Sequence, residues 1–190
     1  MIKDVNFDQN YSKLSLKGID LRGKEFENCT FHQIQFNDQD LTDTCFLECE
    51  FNDCDFSQAK LKNTRLQNVN FARCKLMGLH FDLCNPFLLE FHFNSCMLRF
   101  STFYGLNLQS SNFQTCDLQE VDFTKSNLSK SSLIDCDLGA AIFDQTNLQQ
   151  TDFTESYRFS INPEQNNIQG ATFSKDQAFG LLYNYKIKLV

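Results

Sequence analysis

Leu or Phe recurs at every fifth position along most of the chain. One series runs from Leu16 to Phe81 and a second from Leu88 to Phe153, and all 28 positions of the two series are Leu or Phe. A period of five fits neither the 3.6-residue turn of an α-helix nor the two-residue alternation of a strand. A chain that turns a corner every five residues can bury such a stripe. The pattern therefore predicts a solenoid with Leu and Phe on the inside.

A small residue usually lies two positions before each Leu or Phe, and a polar residue, often Asp or Asn, lies between them. Positions two apart on a short extended segment point the same way, so both the small and the large residue should face inward. The cysteines indicate how many segments make one coil, because many recur at four times the five-residue interval: Cys29 and Cys49, Cys54 and Cys74, and the series Cys96, Cys116 and Cys136. This interval predicts four five-residue faces per coil.

The repeat divides a single domain, residues 1–190, into segments. These are an N-terminal cap at 1–13, a first repeat block at 14–83, a register slip at 84–87 around Pro86, a second repeat block at 88–173 and a C-terminal segment at 174–190. An irregular loop is expected at 156–166. Proline cannot donate to a strand ladder, so the slip should form a bulge or a short kink. It is either a tolerated insertion or a functional bend.

The C-terminal segment departs from the repeat. Ser174 and Gln177 match a capping box, which predicts a short helix after Ser174, and the closing YKIKLV alternates as a strand would. An open solenoid end exposes apolar side chains and unpaired backbone, so it must be covered. The expected capping or dimerisation residues are Phe179, Leu181, Leu182, Tyr185, Ile187 and Leu189. They either cap the rod or pair with a second copy.

The unit small–polar–Leu/Phe–polar–polar resembles the pentapeptide-repeat family over roughly residues 14–173. The resemblance implies an all-β fold: a right-handed quadrilateral parallel β-helix of about seven or more coils, with a short C-terminal helix and a terminal strand. The closing ATFSKDQAFGLLYNYKIKLV and the central STFYGLNLQSSNFQTCDL are similar to the Qnr, McbG and AlbG group of that family. There the C-terminal segment joins two rods tail to tail, which implies a homodimer here.

Among the features of the composition, the cysteine content is the most informative about compartment and chemistry. Nine Cys and no basic, apolar leader at MIKDVNFDQN predict a reducing compartment, taken to be a bacterial-type cytoplasm. Seven of the nine fall on the small inward position and should act as buried filler, whereas Cys45 should face solvent. The His residues fall on outward positions of different repeats. We expect no catalytic, cofactor-binding or metal site, and hence a protein that is not an enzyme.

Charge is banded along the chain. The formal charge is −9 over residues 25–59, +4 over 60–100 and −6 over 101–157, within a total of −7. The acids of the partner surface that we predict are Glu50, Asp53, Asp55, Asp117, Glu120, Asp122, Asp135, Asp137, Asp144 and Asp152. A net negative chain disfavours nucleic acid and anionic membrane as direct ligands and favours a protein partner with a basic surface. Asp117 and Asp137, one predicted coil apart, should stack on one face.

The resemblance gives those acids a role, because Qnr, McbG and AlbG proteins are taken to mimic DNA. It implies a rod that binds DNA gyrase or topoisomerase IV and confers resistance or self-immunity to a topoisomerase poison. Two departures limit it: the basic band at 60–100, and the lack of the long projecting loops of Qnr proteins. The immunity branch therefore fits better than quinolone protection. A charged band is usually just a solvated face, and a scaffold or interaction module with no topoisomerase role remains the alternative.

Overall fold

The chain forms an all-parallel β-solenoid of about eight turns. The computed structural model describes residues 2–13, 16, 18–185 and 187. Its strands are β1 (Val5–Phe7), β2 (Asn10–Ser12), β3 (Glu25–Glu27), β4 (Thr30–His32), β5 (Cys45–Leu47), β6 (Glu50–Asn52), β7 (Arg65–Gln67), β8 (Val69–Ala72), β9 (Phe91–Asn94), β10 (Asn112–Gln114), β11 (Ser132–Ile134), β12 (Asp152–Phe153) and β13 (Thr172–Phe173). Three 3-10 helices span Phe81–Leu83, Lys175–Leu181 and Tyr183–Tyr185.

The rod has four faces, each built from segments one coil apart. Face 1 carries the sheet β1-β3-β5-β7 and continues through single bridges from Asn107 to Asn167. Face 2 carries the nine-stranded sheet from β2 to β13. Face 3 is joined by bridges from Gln35 to Tyr157, and face 4 by bridges from Asp40 to Ile142. Four five-residue segments make one coil, as predicted, so this is the quadrilateral β-helix that the resemblance implied.

Most corners have a residue in the left-handed region of the backbone map. Positive φ recurs every five residues, for example at Asp53, Asn63, Arg73 and Glu120, with values between 54° and 57°. This conformation turns the chain from one face to the next, and polar residues such as Asp and Asn, which tolerate it better than most side chains, occupy many of these corners.

Stacked side chains fill the inside of the rod. Phe36 and Phe56 lie 4.3 Å apart between ring centroids and nearly parallel, while rings on neighbouring faces, such as Phe51 and Phe56, meet edge to face. Burying each Leu or Phe contributes about 1.5–3 kcal/mol before chain entropy is counted. Several of the smaller inward residues bond the backbone of the coil below: the Thr64 hydroxyl, for example, donates to the Leu41 carbonyl oxygen at 2.8 Å.

The two-residue register slip is confined to one coil. Across it Phe71 lies beside Phe93, which is two positions beyond the regular interval, and every described ladder above it returns to that interval. Our placement of Leu88 inside the rod was wrong. Leu88 is 66% exposed with φ +53°, and Leu89 packs against the core instead. The two extra residues let the chain bulge outward after Pro86, so the five-residue count fails locally.

Our prediction that Cys45 is exposed to solvent was wrong, although its outward position is as predicted. It lies on an outward position of face 1, yet it is only 8% exposed. The reason is a pair of long side chains, Arg65 and Glu25, which meet above it. The seven inward cysteines and Cys84 are buried as well.

Candidate functional site

Half of the acids predicted as a partner surface serve the corners of the rod. Their carboxylate oxygens accept a hydrogen bond from the backbone N–H two residues later, at 2.8–3.3 Å, and each side chain is half-buried. These five residues are Asp55, Asp117, Asp122, Asp137 and Asp152. Asn127 makes the same contact to Ser129 at 3.1 Å. Because Asp and Asn interchange here, the shared acceptor oxygen, and not the charge, is what the corner requires. That interchange was visible in the sequence.

Three acids of the predicted surface also pair with arginines of neighbouring coils. Arg73 holds Asp53 in a two-pronged contact at 2.7 and 2.9 Å. Its hydrogen bonds keep the pKa of Asp53 below the usual range. Arg99 bonds Asp117 at 2.5 Å and Arg158 bonds Asp137.

Asp117 and Asp137 face each other as bridge partners on face 3, as predicted. Because each already has a cation, the pair presents little free negative charge.

The remaining acids do not form one stripe. Glu50 lies exposed on face 2, and Asp135 lies at the corner between faces 2 and 3, several coils above it. Glu120 lies at the corner between faces 3 and 4, and Asp144 lies half-buried on face 4. The structure therefore distributes the predicted surface around the rod. What the repeat brings together is an acidic edge between faces 1 and 2, formed by exposed Glu27, Glu48 and Glu50. Glu27 and Glu48 were not among the predicted site residues.

Comparison with known proteins agrees with this geometry. The family described as "Pentapeptide repeats (8 copies)" matches residues 19–58 and 116–154, and "Pentapeptide repeat region" matches residues 44–123. The chain belongs to the pentapeptide-repeat family. No curated protein matches this pentapeptide-repeat chain by sequence.

Solved structures resemble it in fold. A trypsin-treated form of QnrB1, a plasmid-mediated fluoroquinolone resistance protein, aligns with 98% of this chain and 100% of its own at a TM-score of 0.67 and 18% identity. A second trypsin-treated form of QnrB1 aligns with 98% of this chain and 91% of its own at a TM-score of 0.65 and 18% identity. At these identities the likeness shows the fold alone.

The basic band of this pentapeptide-repeat protein is less positive than its sequence count indicates. Each of its three arginines contacts an acid in another coil: Arg65 with Glu25, Arg73 with Asp53, and Arg99 with Asp117. The lysines lie on faces 3 and 4, with Lys60 on face 4 and Lys75 on face 3. Charge thus differs between the faces of one coil as well as along the rod.

The C-terminal segment closes the last coil and leaves apolar side chains outside. Leu181 packs partly against the core, whereas Phe179, Leu182, Tyr185 and Ile187 are exposed. Leu189 and most of the predicted terminal strand lie outside the described residues.

The predicted capping box at the start of this segment is wrong. The Ser174 hydroxyl makes no cap contact with the helix that follows and accepts from the Glu155 N–H at 2.9 Å instead. The following turn is a 3-10 helix, in which the Gln177 N–H bonds the Ser174 carbonyl oxygen. Ser174 therefore joins the helix to the coil below it.

The cysteines are packed as filler in the part of the chain that the structure describes. Cys49 donates to the carbonyl oxygens of Phe26 and Leu47 at 3.5 and 3.4 Å, and burial raises its pKa to about 12. A thiol with so high a pKa is a poor nucleophile at neutral pH. Among the described residues no three His, Cys, Asp or Glu side chains are grouped to hold a metal ion, and no helix is long and apolar enough to cross a membrane.

Proposed function

We propose that this protein is a non-enzymatic, cytoplasmic partner of a type II topoisomerase, DNA gyrase or topoisomerase IV, which protects that enzyme against a poison. The observation that carries the proposal is the rod itself, which aligns along nearly its whole length with a trypsin-treated form of the resistance protein QnrB1 and carries an exposed acidic edge at Glu27, Glu48 and Glu50. Duplex DNA has one negative charge per ~1.7 Å of axis, and a column of coils is a coarser version of that array.

The ion pairs of the rod support a specific contact edge. The paired acids Asp117 and Asp137 are already neutralised, so they add little to a long-range field. The acidic edge of Glu27, Glu48 and Glu50 lies on the opposite side of the rod from Lys60 and Lys75, and its side chains are exposed. A positively charged DNA-binding surface can therefore approach faces 1 and 2 without meeting those lysines.

The enzyme test measures supercoiling by purified gyrase with and without a poison, in the presence of this protein. We expect micromolar protein to restore supercoiling in the presence of the poison. The variant Glu48→Lys with Glu50→Lys should lose that effect by tenfold or more and reduce the salt dependence of binding. Asp117→Asn is the matched control, because Arg99 already neutralises that carboxylate. No binding and no change in supercoiling at micromolar concentration would end the proposal.

The dimer belongs to the same proposal. Exposed Phe179, Leu182, Tyr185 and Ile187 form an apolar end on a rod that is otherwise largely polar, and such a patch is typical of a protein contact. A tail-to-tail pair would bring the acidic bands at residues 101–157 of the two rods together, at the centre of one longer rod. Light scattering should report a dimer for the wild type and a monomer for Leu182→Asp. A monomeric wild type would leave the segment with only a capping role.

The competing function is an interaction module for some other basic protein. It is favoured by the small size of the insertion at the register slip. The coil there has only two extra residues, and so it does not carry a long projecting loop of the kind found in Qnr proteins. Recovery of partners on immobilised protein that is unaffected by gyrase depletion, together with no effect on supercoiling, would select it.

A further inference from the structure

The register slip carries the two most exposed large apolar side chains among the described residues of the repeat blocks. Phe87 is 67% exposed and Leu88 is 66% exposed. Both belong to residues 85–88, which we call the slip loop. The loop stands on face 1 above β7, because the Asn85 N–H bonds the Thr64 carbonyl oxygen just before that strand and the Glu90 N–H bonds the carbonyl oxygen of Leu66 within it.

The fold itself does not require apolar side chains at these two positions. Cys84 before the loop is buried, and Leu89 after it packs against the core, so the interior is already filled on both sides. Polar residues would serve equally well in a surface bulge, and an exposed Phe or Leu gains nothing from burial on folding. Exposed apolar side chains next to each other mark contact surfaces on soluble proteins. Contact with another molecule therefore explains Phe87 and Leu88 better than folding does.

Polar side chains hold the slip loop in one conformation. The Asn85 carboxamide oxygen accepts from the Phe87 N–H at 3.0 Å, and its amide nitrogen donates to Asn63 Oδ1 at 2.9 Å. Gln67 Nε2, on the strand below, donates to the Phe87 carbonyl oxygen at 3.2 Å. Pro86 fixes a further backbone angle. A contact segment that is ordered before binding loses less entropy when it binds, so the two side chains are presented as ready-made anchors.

Acidic residues accompany the slip loop. Glu90 follows it, exposed, at the corner between faces 1 and 2. Glu48 of the acidic edge lies at the same corner two coils below, about 10 Å along the axis. The arginine beneath the loop, Arg65, is already paired with Glu25, and Lys62 lies around the corner on face 4. A molecule that covers the acidic edge therefore reaches the slip loop as well.

We propose that Phe87 and Leu88 insert into an apolar pocket with a basic rim on the topoisomerase surface that binds the acidic edge. The inference rests on the proposed function and deepens it, because it adds an apolar anchor to a contact that was argued from charge alone. A protein is the partner that the charges favour over a membrane, since Glu48, Glu50 and Glu90 repel anionic headgroups.

The two kinds of contact have different physical roles. Exposed charges steer the approach of a partner, and their effect falls as salt is added. Apolar side chains that fill a pocket act after encounter and slow dissociation, and a few such anchors carry most of the affinity of a typical interface. Removal of the anchors and removal of the charges should therefore leave different kinetic signatures.

Biolayer interferometry of the full-length protein on immobilised DNA gyrase, at several salt concentrations, separates these signatures. We expect Phe87→Ser with Leu88→Ser to raise the Kd by about tenfold or more, mainly through faster dissociation. The slope of log Kd against log salt concentration should stay that of the wild type. Glu48→Lys with Glu50→Lys should instead flatten that slope and slow association.

The matched control removes an equivalent pair of exposed side chains elsewhere. Phe100 is 57% exposed between faces 3 and 4, and Ile142 is 49% exposed on face 4, so Phe100→Ser with Ile142→Ser should bind gyrase as the wild type does. A conservative pair, Phe87→Leu with Leu88→Met, keeps both anchors apolar and should bind within about threefold of the wild type. Thermal unfolding monitored by circular dichroism verifies that each variant is folded.

The outcomes distinguish this inference from the proposed function. A wild type that does not bind gyrase ends the proposed function and this inference with it. Gyrase binding by the wild type that Phe87→Ser with Leu88→Ser leaves unchanged, or that the control pair weakens equally, overturns this inference alone. If that variant keeps gyrase binding but loses self-association in the Leu182→Asp background, or loses binding to vesicles of anionic lipid, the slip loop belongs to a second copy or to a membrane, and the inference is wrong.

Discussion

Arg65 reaches across Cys45 to Glu25, two coils away, with Nη2 3.2 Å from Oε1. The three residues share one column on face 1, because Cys45 pairs with Glu25 on one side and with Arg65 on the other. The ion pair is exposed and so stabilises the fold by at most about 1 kcal/mol. Its effect is instead to cover the thiol between its members.

Replacing Arg65 should therefore uncover Cys45 without unfolding the rod. We expect Arg65→Ala to speed the labelling of Cys45 by a maleimide at pH 8 at least tenfold, because the reagent can reach a thiol that is only 8% exposed in the wild type. Peptide mass spectrometry after pulse labelling measures it. Arg22→Ala, which breaks an exposed ion pair with Asp20, is the control and should leave Cys45 protected. Equal labelling of both variants would show that Arg65 is not the cover.

The register of the slip can be tested with two leucines. Leu98→Ala should lower the free energy of unfolding by about 2–5 kcal/mol, because it opens a cavity in the core. Leu88→Ala should change it by less than about 0.5 kcal/mol, since the side chain is exposed. Chemical unfolding monitored by circular dichroism compares them. A loss for Leu88→Ala as large as that for Leu98→Ala would return Leu88 to the inside of the rod.

Gly180 is held against Phe159. A Cβ added at Gly180 would lie 2.5 Å from the Phe159 ring and from its carbonyl oxygen. Gly180→Ala should therefore destabilise the C-terminal segment by about 1–3 kcal/mol and increase its cleavage by protease. Gly105→Ala is the comparison, because its φ is +68° but nothing lies within 4 Å of the added carbon. It should cost only the backbone strain, about 1–2 kcal/mol, and leave the segment protected.

The contact of Arg73 with Asp53 predicts a pH dependence. The folded-state pKa of Asp53 is lowered by the hydrogen bonds from Arg73, so the contact stabilises the fold above the unfolded pKa of about 3.9. The stabilisation is lost as the pH falls below that value through the folded pKa. Between pH 5 and 2 the melting temperature of the wild type should drop further than that of Arg73→Gln.

Lys62→Gln is the control for that pH dependence. It removes a charge from the same basic band and leaves the Asp53 contact in place. Its melting temperature should follow the wild-type curve, and parallel curves for all three proteins would contradict the assignment.

The sequence alone determined the inside of the rod. A Leu or Phe every five residues and cysteines at four times that interval were sufficient for four faces, because burial selects side chains by size and polarity and each coil repeats the same selection. Phe51 and Phe56 are in the core for that reason, and so are Cys49 and Cys54.

Only the tertiary structure decided what the outside does. Whether Asp117 is free or neutralised depends on where Arg99 reaches from the coil below, and whether Cys45 is exposed depends on Arg65 and Glu25. Leu88 left the core because a two-residue insertion relieved the spacing that held its counterparts inside. Outward side chains are selected by neighbours one or two coils away, on which a local pattern of five residues places no constraint.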